Sequence, residues 1–278
     1  MKVEPISRAG GARITGVDLA GPADAQAFAA IETALHEHCF AVFPRQTLDP
    51  GSFARFAALW GEPEPHVIDT YHHPADADIL VLSNVKRGGV PIGLVDAGTY
   101  FHSDYSYRER PARCTILYAI QMPRARRGTI FANQRAAYDD LPDATKRRID
   151  ALVVRHHYGN RDDLDQTSRT VASVLTEAQK KKLDWVRHPL VKRHPRTGTK
   201  ALYAVSGSSF AIEGMEDGAS RALLDELKAH ATQPKYCHTY EYEVGDVIVW
   251  DNAQLLHAAP LADPDDPRTL WRITVKEA

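Results

Sequence analysis

Three side chains far apart in the chain have the types needed to hold a metal ion: His102 and Asp104 in TYFHSDYSY, and His257 in VIVWDNAQLLHAAP. In an extended strand the two ends of His102-x-Asp104 share one face, so an imidazole and a carboxylate can converge on a single ion. Alone the pair is a weak signal. With 13 His and 36 acidic residues in the chain, chance supplies about one or two H-x-D/E pairs, and a His–Asp hydrogen bond at a strand end explains it as well. The far end of the chain adds weight. His257 lies 153 positions after Asp104 (257 − 104), and Arg268 and Arg272 follow it by 11 (268 − 257) and 15 (272 − 257). Both arginines fall in a run otherwise made of apolar residues, TLWRITV and its approach, and a spacing of four puts them on one face of a strand. Guanidinium groups aimed at a protein interior are costly without anions to meet them. Either they face solvent or an acidic ligand sits there.

The elements that must position these groups read as short strands with helices at the start and middle. Residues 23–38 carry apolar side chains at helical spacing, and CFAVF follows as a compact apolar strand. Asp49 is a good N-cap with Pro50 at the first helical position, which predicts a second helix to about Trp60, before Gly61. Strand-like runs occupy 79–85, 114–120 and 128–133. A charged middle, about 134–187, reads as helical, with helix starts at Leu141-Pro142 and Thr176-Glu177; within it GNRDDLDQTSR (159–169) reads as a mobile loop near a site. Strands are expected again at 201–205, 238–244, 246–251 and 269–275, with a helix at about 218–231. TYEYEV alternates as a half-buried strand does, and Gly245-Asp246 after it predicts a hairpin turn. The class is mostly β with helical additions (α+β), a β-sandwich or barrel core with helical decoration.

Composition narrows the partners. At 278 residues, 44% hydrophobic and 25% charged, the chain can bury a large core in one domain. A formal charge of −2 gives no reason to expect nucleic acid or an anionic membrane. No run of 18 apolar residues is present to span a bilayer, and MKVEPISRAGG does not begin a signal peptide. Three scattered cysteines, Cys39, Cys114 and Cys237, argue against a disulfide framework and fit a reducing compartment; a cytoplasmic location is expected. Cys39 and Cys114 read as small buried hydrophobes.

Taken together, GARITGVDL, CFAVFPRQTLDPGSFARFAALWGE, FHSD, RGTIFANQRAAYDDLP, HPRTGTKALY and DVIVWDNAQLLHAAP with its arginines run through nearly the whole chain. In that order they resemble the taurine / dichlorophenoxyacetate dioxygenase family of Fe(II)/2-oxoglutarate-dependent oxygenases. The resemblance implies a double-stranded β-helix (jelly-roll) core, a single domain over 1–278 with a helical and loop insertion at about 134–187, and assembly as a dimer or tetramer. It implies Fe(II) on His102, Asp104 and His257, with 2-oxoglutarate and O2 as co-substrates. Two neutral imidazoles and a carboxylate occupy one face of an octahedron and leave the other open, which suits Fe(II) oxygen chemistry. Arg268 matches the arginine that pairs with the distal carboxylate of 2-oxoglutarate, a task for which its planar fork is apt. Thr129 matches a threonine sharing that carboxylate; as a β-branched strand residue it needs no such role. Trp250 matches a tryptophan near the cofactor, although a buried aromatic at a barrel corner accounts for it equally. Arg272 matches a second arginine close to the active site and is expected to meet an acidic group on the substrate, without identifying which. His66 lies where a histidine contacts the substrate, or is a solvated loop histidine. Tyr105 and Tyr107 either line the pocket or pack the core. His36, His38, His72, His73, His156 and His157 are set aside as non-ligands.

The implied reaction is hydroxylation of a small, anionic organic substrate (a sulfonate, alkyl sulfate, aryloxyalkanoate or similar) with release of succinate and CO2. HPRTGTKALYAVSGSSFAIEGM reads more like the aryloxyacetate branch than the taurine branch. With a carboxylate at position 104 no coordination site is vacated for chloride, which excludes halogenation. Two other classes compete. A zinc hydrolase on the same triad leaves Arg268 and Thr129 without a purpose. A non-catalytic jelly-roll binding protein would be expected to have lost a ligand, and none is missing.

Overall fold

Neighbouring side chains of the strand Val247–Asp251 serve opposite faces, and that alternation lays out the molecule. In the computed structural model, which describes all residues except 23, 96, 126–127, 159–183, 204, 262 and 278, this strand lies inside an eight-stranded sheet. The sheet order is Lys2–Ser7, Gly10–Thr15, Phe40–Phe43, Val247–Asp251, Ala112–Gln121, Thr269–Lys276, Asp76–Ser83, His72–His73. Its pairs are antiparallel, apart from Gly10–Thr15 with Phe40–Phe43.

Val247 and Val249 face the helices Ala25–His38 and Pro50–Ala58, packing with Ile31, Leu35, Phe53 and Phe56. Ile248 and Trp250 face the other way, toward a three-stranded sheet made of Cys237–Tyr240, Thr129–Asn133 and Leu255–Ala258. Phe131, Tyr240 and Leu255 of that small sheet share a core with Phe40, Leu80, Leu117 and Leu270 of the large one. The outward residues of the small sheet, Ala132 and Leu256, pack under the helices Gln134–Asp139 and Asp217–Ala231 through Tyr138, Leu223 and Leu227. The order is therefore helices, large sheet, small sheet, helices. Burying each such leucine or phenylalanine contributes about 1.5–3 kcal/mol, so the two inner layers are strongly held together at the level where the site lies. Among the described residues, no helix is long and apolar enough to cross a membrane.

The helix starts follow their caps. Asp24 accepts from the backbone N–H groups of Gln26 and Ala27, and Asp49 accepts from that of Ser52 with Pro50 at the first helical position.

Three expectations are corrected. Among the described residues, the middle is helical at Gln134–Asp139 and Asp143–Ile149, and Val153–His156 is a strand, where consecutive β-branched residues pair with Val186–Pro189 and Ser209–Ile212. The expected loop at 159–169 and the helix start at Thr176-Glu177 lie outside the described residues. The strand expected at 201–205 is Lys200–Leu202. Finally, Gly245-Asp246 does not close a hairpin. Gly245 turns the chain at φ +91°, but the flanking strands belong to different sheets. The Asp246 carboxylate accepts from the Tyr240 hydroxyl (2.7 Å) and the Glu243 N–H (2.9 Å), which closes a wider connection between the two layers.

Candidate metal centre and cosubstrate pocket

His102 and His257 oppose each other as a single antiparallel bridge. Each N–H donates to the other's carbonyl, at 3.0 and 2.8 Å. Directly opposed residues project to the same face, and the two imidazoles stand with ring centroids 4.2 Å apart. Alternation along Leu255–Ala258 turns His257 inward with Leu255 and away from Leu256. His102 and Asp104 do not lie on the continuous strand that their spacing predicts. The bridge ends at His102 and the chain enters a turn, with Tyr105 at φ +53°. A left-handed conformation is sparsely populated for an aromatic residue. Here Tyr105 is held by its hydroxyl donating to the Glu64 carbonyl at 3.2 Å and by the Arg272 guanidinium 5.9 Å from its ring centre. The turn brings the Asp104 carboxylate back to both imidazoles, 3.6 Å from His102 Nε2 and 3.5 Å from His257 Nε2. One ligand atom from each of the three residues lies within 4.8 Å of the others.

The protons say that this cluster suits a cation. His102 Nδ1 lies 2.8 Å from the Tyr100 carbonyl, which can only accept, so Nδ1 carries a hydrogen and, in the neutral tautomer, the Nε2 lone pair faces the carboxylate. His257 is driven well below the usual histidine range, by burial first and by His102 second, and is therefore neutral. Its Nδ1 is buried without a hydrogen-bond partner. Burial opposes ionisation of Asp104, but Arg272 and then His257 overcome it and hold the carboxyl well below its usual range. Two lone pairs facing a carboxylate are satisfied by a shared positive ion. Gly98 permits the close approach: at φ +70° it already disfavours a side chain, and a Cβ there would lie 2.3 Å from the His102 ring.

The arginines divide. Arg272 Nη2 donates to Asp104 Oδ1 at 2.7 Å and its Nε to Thr274 Oγ1 at 3.2 Å, so it is joined to the carboxylate of the cluster itself. Arg268 precedes the last strand; its N–H donates to Asn84 Oδ1 and its Nη2 to the Val95 carbonyl, each at 2.8 Å. Arg268, Thr129, Trp250, His102, His257 and Arg272 line one cavity, with Leu117, Met122 and Leu270 as apolar wall. Thr129 Oγ1 lies 2.8 Å from the Tyr242 hydroxyl, which also lines this cavity. Tyr242 escaped the sequence reading; the signal was the alternation of TYEYEV, which puts Tyr240 and Tyr242 on the inward face. Gly128 admits the neighbouring strand, since a Cβ there would meet the Tyr240 carbonyl oxygen at 1.7 Å. Trp250 packs on His257 with ring centroids 4.6 Å apart.

His66, Tyr105 and Tyr107 gather near Arg272. His66 Nδ1 accepts from the Ile68 N–H at 3.1 Å, which leaves Nε2–H as a donor. Burial, then Arg272, pushes His66 down to about 3, so it is neutral. Its ring is 6.2 Å from Tyr105, which in turn is 5.7 Å from Tyr107. Of the histidines set aside, His36 does meet a carboxylate: with His194 and Asp251 it forms a second two-histidine, one-aspartate cluster.

A family model described as taurine catabolism dioxygenase TauD, TfdA family matches residues 2–274. The chain is 30% identical to pentalenolactone F synthase of Streptomyces arenae over 98% of this chain and 94% of that one. It is 32% identical to an alpha-ketoglutarate-dependent 2,4-dichlorophenoxyacetate dioxygenase of a Burkholderia species (strain RASC), over 88% of this chain and 84% of the other. The crystal structure of AAD-2 in complex with Mn(II) and N-oxalylglycine superposes with a TM-score of 0.83 at 27% identity, covering 100% of this chain and 97% of that one.

Proposed function

This chain belongs to the taurine catabolism dioxygenase TauD, TfdA family, and we propose that it is an Fe(II)- and 2-oxoglutarate-dependent dioxygenase hydroxylating a small anionic organic molecule. The observation that carries the reading is the convergence of His102, Asp104 and His257 beside a cavity that also holds Arg268 and Thr129. A hydrolytic zinc site would leave that arginine–threonine pair unexplained, and family membership supports the oxygenase over both a hydrolase and an inert binder. The two facing sheets are read as the double-stranded β-helix of a single domain over 1–278, and the chain as a cytoplasmic dimer or tetramer. Size-exclusion chromatography with light scattering tests the last point.

Bound Fe(II) supplies activation of O2, coupled to oxidative decarboxylation of 2-oxoglutarate to succinate and CO2. The chain's own groups do the rest. His102 and His257 offer Nε2 atoms and Asp104 a carboxylate kept ionised by Arg272. Arg268 meets the distal carboxylate of 2-oxoglutarate with charge-assisted hydrogen bonds, with Thr129 and Tyr242 hydroxyls beside it. Leu117, Met122 and Leu270 give that cavity an apolar wall. On the substrate side, His66 Nε2–H and Arg272 present donors to an anionic group, and the Tyr105 and Tyr107 rings form a wall suited to an aromatic or alkyl body. This reading favours an aryloxyalkanoate-like anion. Succinate formation is measured against a panel of aryloxyacetates, sulfonates, alkyl sulfates, phosphonates and amino acids, all with Fe(II) and 2-oxoglutarate. The reading expects stimulation by an anionic member; a panel in which only neutral compounds stimulate would contradict it.

A further inference from the structure

Asn252 is fully buried and touches both chain segments that supply the metal ligands. Its Oδ1 accepts from the Asp104 N–H at 3.1 Å and from Trp250 Nε1–H at 3.2 Å. Its backbone carbonyl accepts from Ser103 Oγ at 2.8 Å. Two N–H donors on one oxygen fix the orientation of the amide, because a flipped group would set N–H against N–H. Nδ2 must therefore face Thr115, and it donates to Thr115 Oγ1 at 3.1 Å. That oxygen then has its own hydrogen free for a different acceptor, Asp104 Oδ2 at 2.6 Å.

Register explains why the group is assembled here. Thr115 sits directly between Trp250 and Thr274 on neighbouring strands of the large sheet, so all three project to the inner face. Arg272 lies two residues before Thr274 and faces the same way, donating to the other carboxylate oxygen. Asp104 is thus held at Oδ2 by Thr115, at Oδ1 by Arg272 and at its backbone by Asn252. Through Trp250 the same Asn252 supports His257, whose ring packs on the indole.

We infer that Asn252 and Thr115 are positioning residues for the metal centre: the amide orders the threonine hydroxyl as a donor to Asp104 and ties the His102–Asp104 turn to the strand-and-turn segment that leads to His257. The inference rests on the reading of His102, Asp104 and His257 as metal ligands. Partners that orient a ligand are typically worth about 10–100-fold in metal affinity. The test is titration of the purified full chain with Mn(II), followed by the electron paramagnetic resonance of the free ion, without co-substrate or turnover. Thr115→Val keeps the shape and removes the donor; it should bind Mn(II) about 10–100-fold more weakly than the unmodified chain. Thr115→Ser keeps the hydroxyl and should restore affinity to within about threefold, a recovery that a packing role would not give. Should the valine variant fold poorly by circular dichroism, Thr115→Ala removes the same donor and carries the same expectation. Tight binding by the unmodified chain with equal affinity in Thr115→Val, or a serine variant as weak as the valine one, overturns the inference and leaves the ligand assignment standing. No Mn(II) binding by the unmodified chain would overturn the ligand assignment, and the inference with it.

Discussion

Two clusters of two histidines and one aspartate lie against opposite faces of the large sheet, and only one has the protons of a metal site. Trp250 points inward to the His102, Asp104, His257 cluster; Asp251, the next residue, pairs in register with Cys114 and points outward to His36 and His194. In the outer cluster His194 Nδ1 accepts from the N–H groups of Arg196 (3.2 Å) and Thr197 (3.0 Å), so Nε2 carries the hydrogen and donates to Asp251 Oδ2 at 2.8 Å. Asp251 also accepts from Gln254 Nε2 and from the Ala253 N–H, each at 2.9 Å. A cation there must displace a proton already well bonded. In the inner cluster the His102 hydrogen is spent on a backbone carbonyl, and a lone pair faces the carboxylate. Residue types and distances alone do not separate the two. Hydrogen-bond accounting does: the outer cluster braces the 251–254 turn, and the inner one keeps the lone pair that the proposed cation site needs.

The largest expected effect breaks this comparison if it fails. Asp104→Ala should abolish metal binding and reduce succinate formation to background, measured by metal analysis and a coupled succinate assay. Next, Arg268→Ala should raise the KM for 2-oxoglutarate by about a hundredfold, in line with roughly 2–5 kcal/mol for removing one partner of a buried charge pair; steady-state kinetics would show an unchanged KM if the co-substrate bound elsewhere. On the outer face, His194→Phe should leave one metal per chain but lower stability by about 2 kcal/mol, the scale of a hydrogen bond to a charged group. Urea unfolding with inductively coupled plasma analysis distinguishes brace from ligand.

A third environment sharpens the contrast. His156 is wholly buried and neither ring nitrogen has a hydrogen-bond partner. Burial, with His188 adding to it, pushes this group down to about 3. In the unfolded chain it titrates near ~6.5. Between those two values the unfolded state takes up a proton that the folded state refuses, so the histidine's contribution makes stability fall as pH falls, by at most about 1.4 kcal/mol per pH unit. His156→Leu should flatten that slope between about pH 6 and pH 4. Identical slopes in the two proteins, from unfolding midpoints at several pH values, would show that His156 is not buried neutral.

How much of this was legible beforehand depends on the kind of residue. His102, Asp104, His257 and Arg268 stand out because imidazole, carboxylate and guanidinium are costly inside a protein and their order along the chain is distinctive. Thr115, Asn252 and Tyr242 carried no such mark: threonine, asparagine and tyrosine are ordinary core and turn residues, and only strand register brings them to the site. Gly245 was read correctly as a turn and wrongly as a hairpin, because a local φ +91° does not decide whether the flanking strands pair with each other or with distant partners. Val153–His156 reads as part of a helical middle for the same reason, since its strand partners lie thirty or more residues away at Val186–Pro189 and Ser209–Ile212. Likewise His36 was dismissed on sequence context, yet its neighbours His194 and Asp251 are distant in the chain.

Anaerobic addition of Fe(II) and 2-oxoglutarate, followed by visible absorption, tests most directly which cluster holds the metal. The unmodified chain and His194→Phe should both develop a weak charge-transfer band, and Asp104→Ala none. A band that persists in Asp104→Ala and vanishes in His194→Phe would contradict the assignment and move the metal to the outer face.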